Sequence, residues 1–126
     1  MRENGPKVLE DKYNGTQAIA VGSGAVAYSA AVSLTDLSDF ALEYKVACTG
    51  TPDVKIEMQQ CSDGVNWYTP KGFNAIEDSV TDKAQHGAQI TPITVEWVRF
   101  KITENTSTVT DTVVTLKINV QRKWAL

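Results

Sequence analysis

Alternation of apolar and polar residues in two regions, 40–61 and 94–124, constrains the fold more than any other feature of this sequence. A period of two places every second side chain on one face of a β-strand, so both regions predict strands with one buried face. The residues predicted to be buried are Phe40, Leu42, Tyr44, Val46, Cys48, Val54, Ile56, Met58, Val98, Phe100, Ile102, Val114, Leu116, Ile118 and Val120. No segment shows a clear apolar period of 3.6, so we expect minimal helix.

Residues 39–61 predict a β-hairpin whose turn centres on Thr51. In that register the apolar residues of the two halves face each other, and Lys45 lies opposite Glu57 on the exposed face. Residues 94–104 and 110–124 predict a second, closing hairpin with a loop at 105–108. Residues 71–93 have poor patterning, and we expect a long connection there with one or two short strands and a crossing between sheets.

Residues 16–34 hold two short strand patterns that are separated by Gly22-Ser23-Gly24. After the break, the alternation predicts one buried face. Its members are Val26, Tyr28, Ala30, Val32 and Leu34.

The two cysteines, Cys48 and Cys61, are expected to be free thiols. In the predicted hairpin they lie on opposite faces and about seven residues apart, which at ~3.3 Å per residue is more than about 20 Å. A disulfide needs Cα atoms within ~7 Å.

About eight strands with turns every eight to twelve residues or so predict an all-β fold, an antiparallel β-sandwich or jelly roll. The 14 threonines and 14 valines agree with this, because β-branched side chains suit a pleated surface. A length of 126 residues fits one domain. We divide the chain into an extended N-terminal arm, residues 1–16, with a disordered terminus as the alternative, and a sandwich domain, residues 17–126.

The net charge and the hydropathy of the chain limit the kinds of partner that it is expected to bind. The net charge of −3 argues against a nucleic-acid binder, which would cluster lysines and arginines. No apolar run approaches the roughly 20 residues of a membrane span, and residues 1–15 lack the apolar stretch of a secretion signal. We therefore expect no nucleic acid and no membrane as partners.

The residues that could carry catalysis are few. His86 is the single histidine, in a predicted loop, and with two cysteines it gives at most three of the four ligands of a typical zinc site. Glu77 and Asp78 are read as solvated loop residues. The stretch 62–66 lacks the alternating acidic ligands of a calcium loop, and no phosphate-binding glycine motif occurs. We expect no catalytic residue, no metal and no cofactor.

The aromatic residues are more informative. Asp63-Gly64 predicts a tight turn, and Trp67 after it is read as a plug over the end of the core, with a ligand-stacking tryptophan as the alternative. Trp97 and Arg99 fall on the face opposite to the buried one. Large aromatics and arginine outside the core are typical of interfaces. The tentative partner-binding residues are Val8, Leu9, Tyr13, Trp97, Arg99 and Trp124.

One combination of motifs resembles a known group of proteins. Ser62, Asp63, Gly64 and Trp67, followed by Trp97-Val98-Arg99-Phe100, are similar to a corner and a later strand in small β-sandwich proteins of tailed bacteriophages, head decoration and accessory virion proteins among them. The resemblance spans residues 39–121. The same pattern occurs in galactose-binding-like sandwiches, where it is largely structural.

The resemblance implies a non-enzymatic structural protein of a bacteriophage virion, a capsid decoration or accessory protein that binds and stabilises the shell. Its partners would be the major capsid protein or other virion proteins, as a homotrimer, in particles assembled in the host cytoplasm. The alternative is a carbohydrate-binding β-sandwich module, free or on a phage fibre. For that role the candidate residues are Trp67, Tyr68 and His86.

Overall fold

The computed structural model describes residues 7–8, 16–33, 40–71, 75–90, 96–119 and 121–122, and these residues contain β-strands and no helix. No helix within them is long and apolar enough to cross a membrane. The strands are β1 (Lys7–Val8), β2 (Thr16–Val21), β3 (Val26–Tyr28), β4 (Val32–Ser33), β5 (Phe40–Thr49), β6 (Val54–Cys61), β7 (Glu77–Val80), β8 (His86–Ile90), β9 (Trp97–Glu104), β10 (Thr110–Asn119) and β11 (Gln121–Arg122).

The principal strands form two antiparallel sheets with jelly-roll connectivity. One sheet has the order β2-β10-β5-β8, and the other has the order β3-β9-β6-β7, with β4 also paired to β9. The chain changes sheet from β2 to β3, from β4 to β5, from β5 to β6, from β7 to β8, from β8 to β9 and from β9 to β10. This alternation between two facing sheets is the jelly-roll arrangement, so the predicted fold class is confirmed.

The core lies between the two sheets and consists mostly of the predicted alternating residues, joined by Ile19, Val21, Val80 and Ile90. Leu42, Val46, Ile56 and Phe100 are 0% exposed, as period-two burial requires. The rings of Phe40 and Phe100 meet edge to face across the sandwich, with their centroids 6.3 Å apart. Cys48 is only half-buried, and Val120 lies outside the described residues.

The predicted hairpin of residues 39–61 is wrong, because β5 and β6 belong to different sheets. Lys45 pairs with Thr115, and Glu57 pairs with Lys101, rather than with each other. The physical reason is that two strands with inward apolar faces satisfy burial equally well side by side in one sheet or face to face in two. The local pattern does not distinguish the two arrangements.

The predicted closing hairpin is wrong for the same reason. Strand β9 pairs with β6 and β3, whereas β10 pairs with β2 and β5. Their connection is an arch between the sheets, and Val109 within it is buried. The pairing of β10 with β5 contains an irregularity between Thr110 and Val113, and Asp111 there has a φ of 56°.

The buried face predicted for residues 26–34 is also wrong. Val26 and Tyr28 are each 46% exposed, and Ala27 packs partly against the core instead. The strand stops at Tyr28 and resumes at Val32, so the alternation does not run through as one phase: Val32 is buried although Ala30 is exposed. Leu34 lies outside the described residues.

Residues 71–93 contain the predicted crossing between sheets. Strand β7 lies at the edge of the five-stranded sheet next to β6, and β8 lies at the edge of the other sheet next to β5. His86 begins β8 and is not in a loop, which corrects that expectation.

The free cysteines are confirmed, Cys48 half-buried and Cys61 fully buried. Within the predicted arm, the described residues are Lys7–Val8, which pair with Gln121–Arg122 of the same chain, and Thr16, which begins β2. The division at residue 16 and the arm's role stay predictions.

Candidate functional site

The outer face of the five-stranded sheet carries a set of polar and aromatic side chains at its centre. On β9 the core residues Val98 and Phe100 face inward, so Arg99 between them faces outward. Gln59 of β6 is the direct partner of Arg99 in the sheet and shares its face. Tyr28 of β3 reaches the same place from the opposite side, because β3 pairs with β9.

The side chain of Arg99 is held by three neighbours. Its Cζ lies 4.1 Å from the ring centroid of Tyr28 and 4.6 Å from that of Trp67. Its Nε donates a hydrogen bond of 2.8 Å to Oε1 of Gln59. Nε2 of Gln59 is in turn 3.5 Å from Oγ1 of Thr69, a long contact. We call these five residues, Tyr28, Gln59, Trp67, Thr69 and Arg99, the Arg99 platform.

A loop that folds back on β6 brings Trp67 to this face. Tyr68 and Gln60 exchange two backbone hydrogen bonds, of 2.8 and 3.0 Å. Residues directly opposite each other share a face of the sheet, so Tyr68 lies on the same face as Gln60. Trp67 and Thr69, on either side of Tyr68 in the chain, therefore lie on the opposite face. This is the outer face, which Gln59 shares.

The Asp63-Gly64 turn fixes the course of this loop, as predicted. Oδ1 of Asp63 accepts hydrogen bonds of 2.8 Å from the backbone N–H groups of Val65 and Asn66. Oδ2 accepts a third bond, of 2.7 Å, from the side-chain amide of Asn66. Gly64 has a φ of 77°, a left-handed conformation that favours glycine. The bonds from Asn66 and Val65 lower the pKa of Asp63 from 3.8 to about 2.

Trp67 is therefore not the core plug that the sequence predicts. It is half-buried, and its ring lies against a charged guanidinium on the outside of the sheet rather than between the sheets. The reason is the backbone pairing of Tyr68, which sets the face of the residue before it. The alternative reading, a tryptophan available for stacking on a ligand, fits this position.

Of the predicted partner-binding residues, Trp97 and Arg99 lie on the outer face, as their alternation indicates, and both are half-buried. Val8 is described only in its backbone pairing with Gln121. Leu9, Tyr13 and Trp124 lie outside the described residues. Their role in contacting a partner stays a prediction.

The three residues predicted for glycan binding are not brought together. Trp67 belongs to the Arg99 platform, whereas Tyr68 is 46% exposed and shares the face of Gln60 rather than that of the platform. His86 lies in the other sheet, stacked on Tyr44 at a centroid distance of 5.6 Å. Its Nε2 is 2.7 Å from Oδ1 of Asp82, a contact that lowers the pKa of Asp82.

Two buried polar contacts connect loops and sheets rather than forming a site. The hydroxyl of Tyr44 donates a 2.6 Å hydrogen bond to Oε2 of Glu77, which links β5 to β7 of the other sheet. Burial, that bond and the charge of Glu77 raise the pKa of Tyr44. The carboxylate of Glu104, fully buried, accepts bonds from the backbone N–H groups of Asp53 and Thr106. Within the described residues no group of three or more His, Cys, Asp or Glu side chains could hold a metal ion.

Sequence reasoning missed Tyr28 and Gln59 as members of the site. A single alternation extended through residues 26–34 places Tyr28 in the core, whereas the small residues at 29–31 are the available signal that the strand is interrupted. Gln59 gave no signal beyond its place among alternating residues, because its partner Arg99 is 40 positions away.

Comparisons with known proteins add little to this description. No protein-family model matches the chain, and no curated protein matches it. Among solved structures, the chain is similar to the CBM22-1 xylan-binding domain of Xyn10C from Paenibacillus barcinonensis, with 12% identity, a TM-score of 0.46 and coverage of 98% of this chain and 91% of that one. A likeness of this degree carries no argument about function.

Proposed function

We propose that this chain is a non-catalytic carbohydrate-binding domain and that the Arg99 platform is its binding surface. The observation that carries the proposal is the partly exposed pair of rings, Tyr28 and Trp67, fixed against Arg99 on the outer face of a sheet. The proposal adopts the alternative function given by the sequence, a carbohydrate-binding module. It keeps Trp67 in the binding site and includes Tyr28 instead of His86.

The chemistry of the platform matches that of a sugar. A pyranose ring has an apolar face of C–H groups and a rim of hydroxyls. Aromatic rings offer an apolar surface of similar size to the first. The guanidinium of Arg99 donates hydrogen bonds, and the amide of Gln59 both donates and accepts them, as a hydroxyl rim requires.

The platform is organised before a ligand arrives. Arg99 is restrained by stacking and by its bond to Gln59, and Trp67 follows a loop closed by three hydrogen bonds to Asp63. Side chains that are already ordered lose less conformational entropy when they bind. An open sheet face suits an extended oligosaccharide better than a small solute, which usually binds in a concave pocket.

The test is binding to a panel of polysaccharides, measured by affinity gel electrophoresis and isothermal titration calorimetry. We expect at least one polymer to bind, with Tyr28→Ala and Trp67→Ala each weakening it roughly tenfold or more, about 1.4 kcal/mol or more. Tyr28→Phe keeps the ring and should bind nearly as well as the parent.

The matched control is Val65→Ala, because Val65 is 75% exposed in the loop that carries Trp67 but is not part of the platform. Its binding should be unchanged. Circular dichroism and thermal unfolding of every variant separate lost binding from lost folding. Failure of every polymer to bind, or undiminished binding by a folded Tyr28→Ala protein, would refute the proposal.

The capsid-binding role inferred from the resemblance, with its homotrimer and its virion location, stays a prediction. Its direct test is co-sedimentation of the purified chain with phage heads. A variant that lacks residues 1–12 should lose binding to phage heads if the N-terminal arm makes the contact. Binding to heads that persists in Tyr28→Ala and Trp67→Ala would place that contact away from the Arg99 platform.

A further inference from the structure

We propose that the Arg99 platform selects glycans that carry carboxylate groups, the uronic acids being the chemical class. This inference rests on the proposed function and names its ligand more narrowly. It is carried by the guanidinium of Arg99, which pairs with no carboxylate of the described residues, and by the excess of positive charge on the three strands around it.

The guanidinium of Arg99 retains unused hydrogen-bonding capacity. An arginine has five N–H donors, and here the Nε donor is bonded to Gln59. Within the described part of the chain, no acceptor for the terminal N–H groups is found and no carboxylate lies within ion-pair distance of Arg99. The ion pairs among those residues join Lys55 to Glu57 and His86 to Asp82.

The contacts with the two rings do not occupy the N–H donors of the guanidinium, because a ring face is not a conventional hydrogen-bond acceptor. Tyr28 and Trp67 lie against the guanidinium itself, at 4.1 and 4.6 Å from Cζ. Stacking of this kind uses the faces of the planar group, whereas a carboxylate approaches in its plane and accepts two parallel N–H bonds. A sugar acid could therefore pack its C–H groups on a ring while its carboxylate bonds to Arg99.

The surrounding charges favour an anion. The outward side chains of β3, β6 and β9 include three cations, Lys55, Arg99 and Lys101, and one carboxylate, Glu57. On these three strands this is an excess of two positive charges, in a chain whose net charge is −3, and β7 at the edge of the same sheet adds one exposed carboxylate, Asp78. Lys101 lies directly opposite Tyr28 on one side and Glu57 on the other.

A nearby carboxylate does not cancel this charge by pairing with Arg99. Asp63 is in the loop that carries Trp67, but its two oxygens accept the hydrogen bonds of Val65 and Asn66. Its carboxylate closes the loop, and Arg99 is left to a ligand. An acidic polymer would then bind to a positive face on a protein that repels it elsewhere, which gives orientation as well as affinity.

The experiment compares polymers that differ only in charge. Polygalacturonate and its fully methyl-esterified form share one backbone, and alginate and hyaluronate extend the class. We expect polygalacturonate to bind with an affinity that falls as salt rises, and the esterified form to bind roughly tenfold or more weakly.

Variants locate the effect. Arg99→Lys keeps the charge but loses the planar fork, and we expect it to weaken polygalacturonate binding roughly tenfold or more. Lys101→Met leaves the stacked rings intact and should weaken binding a few-fold while reducing the salt dependence. The matched control is Lys45→Gln, which removes an exposed cation from the other sheet and should change binding less than twofold.

The outcomes separate the inference from the proposed function. If neutral or esterified polymers bind as well as polygalacturonate, selection of carboxylates is wrong and carbohydrate binding stands. If a sulfated polymer of equal charge density binds better than every uronate, the platform recognises anions in general and the inference is wrong. If no polysaccharide binds, both proposals fail.

Discussion

Gln60 is a buried residue whose position is expected to lower the free energy of unfolding. It is 0% exposed, and neither its Oε1 nor its Nε2 has a hydrogen-bond partner. A buried amide without partners loses its bonds to water and gains none, at a cost of about 1–3 kcal/mol. Its neighbour Gln59, with the same side chain, instead bonds to Arg99 on the outer face.

We predict that Gln60→Met raises the free energy of unfolding by about 1–2 kcal/mol, because a side chain of similar length removes the unsatisfied amide. Gln59→Met is the matched control and should lower it, since Arg99 would lose an acceptor. Urea unfolding at neutral pH measures both. An unchanged or lowered stability of Gln60→Met would mean that the amide finds partners in solution.

Asp63 gives the loop a dependence on pH. Its folded-state pKa of about 2 is below its ordinary value of 3.8. A depressed carboxylate pKa contributes stability that is present above pH 4 or so and is lost as the pH falls toward 2. We predict that Asp63→Asn flattens the decline of the free energy of unfolding between pH 4 and pH 2.

Urea unfolding at pH 5, 4, 3 and 2 tests this prediction. Asp82, whose pKa is also lowered by its contacts with His86 and Ala84, contributes a decline of the same sign that should persist in the Asp63→Asn protein. Parallel curves for the parent and Asp63→Asn would show that the loop carboxylate has no part in acid sensitivity.

At the scale of elements, Glu104 connects the two arches at one end of the sandwich. Its Oε1 accepts bonds of 3.1 Å from the N–H of Asp53 and 3.0 Å from that of Thr106, and its Oε2 accepts one of 3.3 Å from the hydroxyl of Thr112. Asp53 and Thr106 belong to the β5–β6 and β9–β10 connections. One carboxylate thus satisfies backbone groups of both crossings, which a hairpin would satisfy within itself.

We predict that Glu104→Ala lowers the free energy of unfolding by about 2–4 kcal/mol, because it leaves two backbone donors and a hydroxyl without partners next to a buried gap. Thr112→Val removes one long bond and should cost about 1 kcal/mol or less. Denaturant unfolding compares the two. Equal losses for both variants would contradict the connecting role of Glu104.

At the scale of the whole molecule, the sheets are made mostly from strands that are distant in the sequence. Thr112 of β10 pairs with Val21 of β2, and Leu116 pairs with Tyr44 of β5. Among the described strands, β6 and β7 are the one consecutive pair that is hydrogen-bonded. Almost every pairing therefore requires closure of a long loop before it gives any stability.

This topology predicts slow folding, with a main phase in the range of milliseconds to seconds. Stopped-flow tryptophan fluorescence measures it, in double-jump experiments that keep the prolines in their native isomers. Folding in microseconds would be incompatible with described strand pairings that, apart from β6 with β7, all join strands that are not consecutive.

The sequence by itself determined where the long strands lie and which of their side chains point inward, because both depend on residues two positions apart, but it did not locate β7 and β8. It determined the Asp63-Gly64 turn and the outward position of Arg99 in the same local way. The sequence did not determine which face of the sheet Tyr28 lies on. The strand is interrupted at residues 29–31, and this interruption depends on how β3 and β4 each pair with β9.

Only the tertiary structure decided which strands are neighbours. Alternation specifies the face of a side chain but not the strand beside it, so arches between sheets were predicted as hairpins within one sheet. The Arg99 platform depends on that decision. Tyr28, Gln59 and Arg99 come from three strands, and Trp67 comes from a loop paired to β6, so they meet only when β3, β9 and β6 form one sheet.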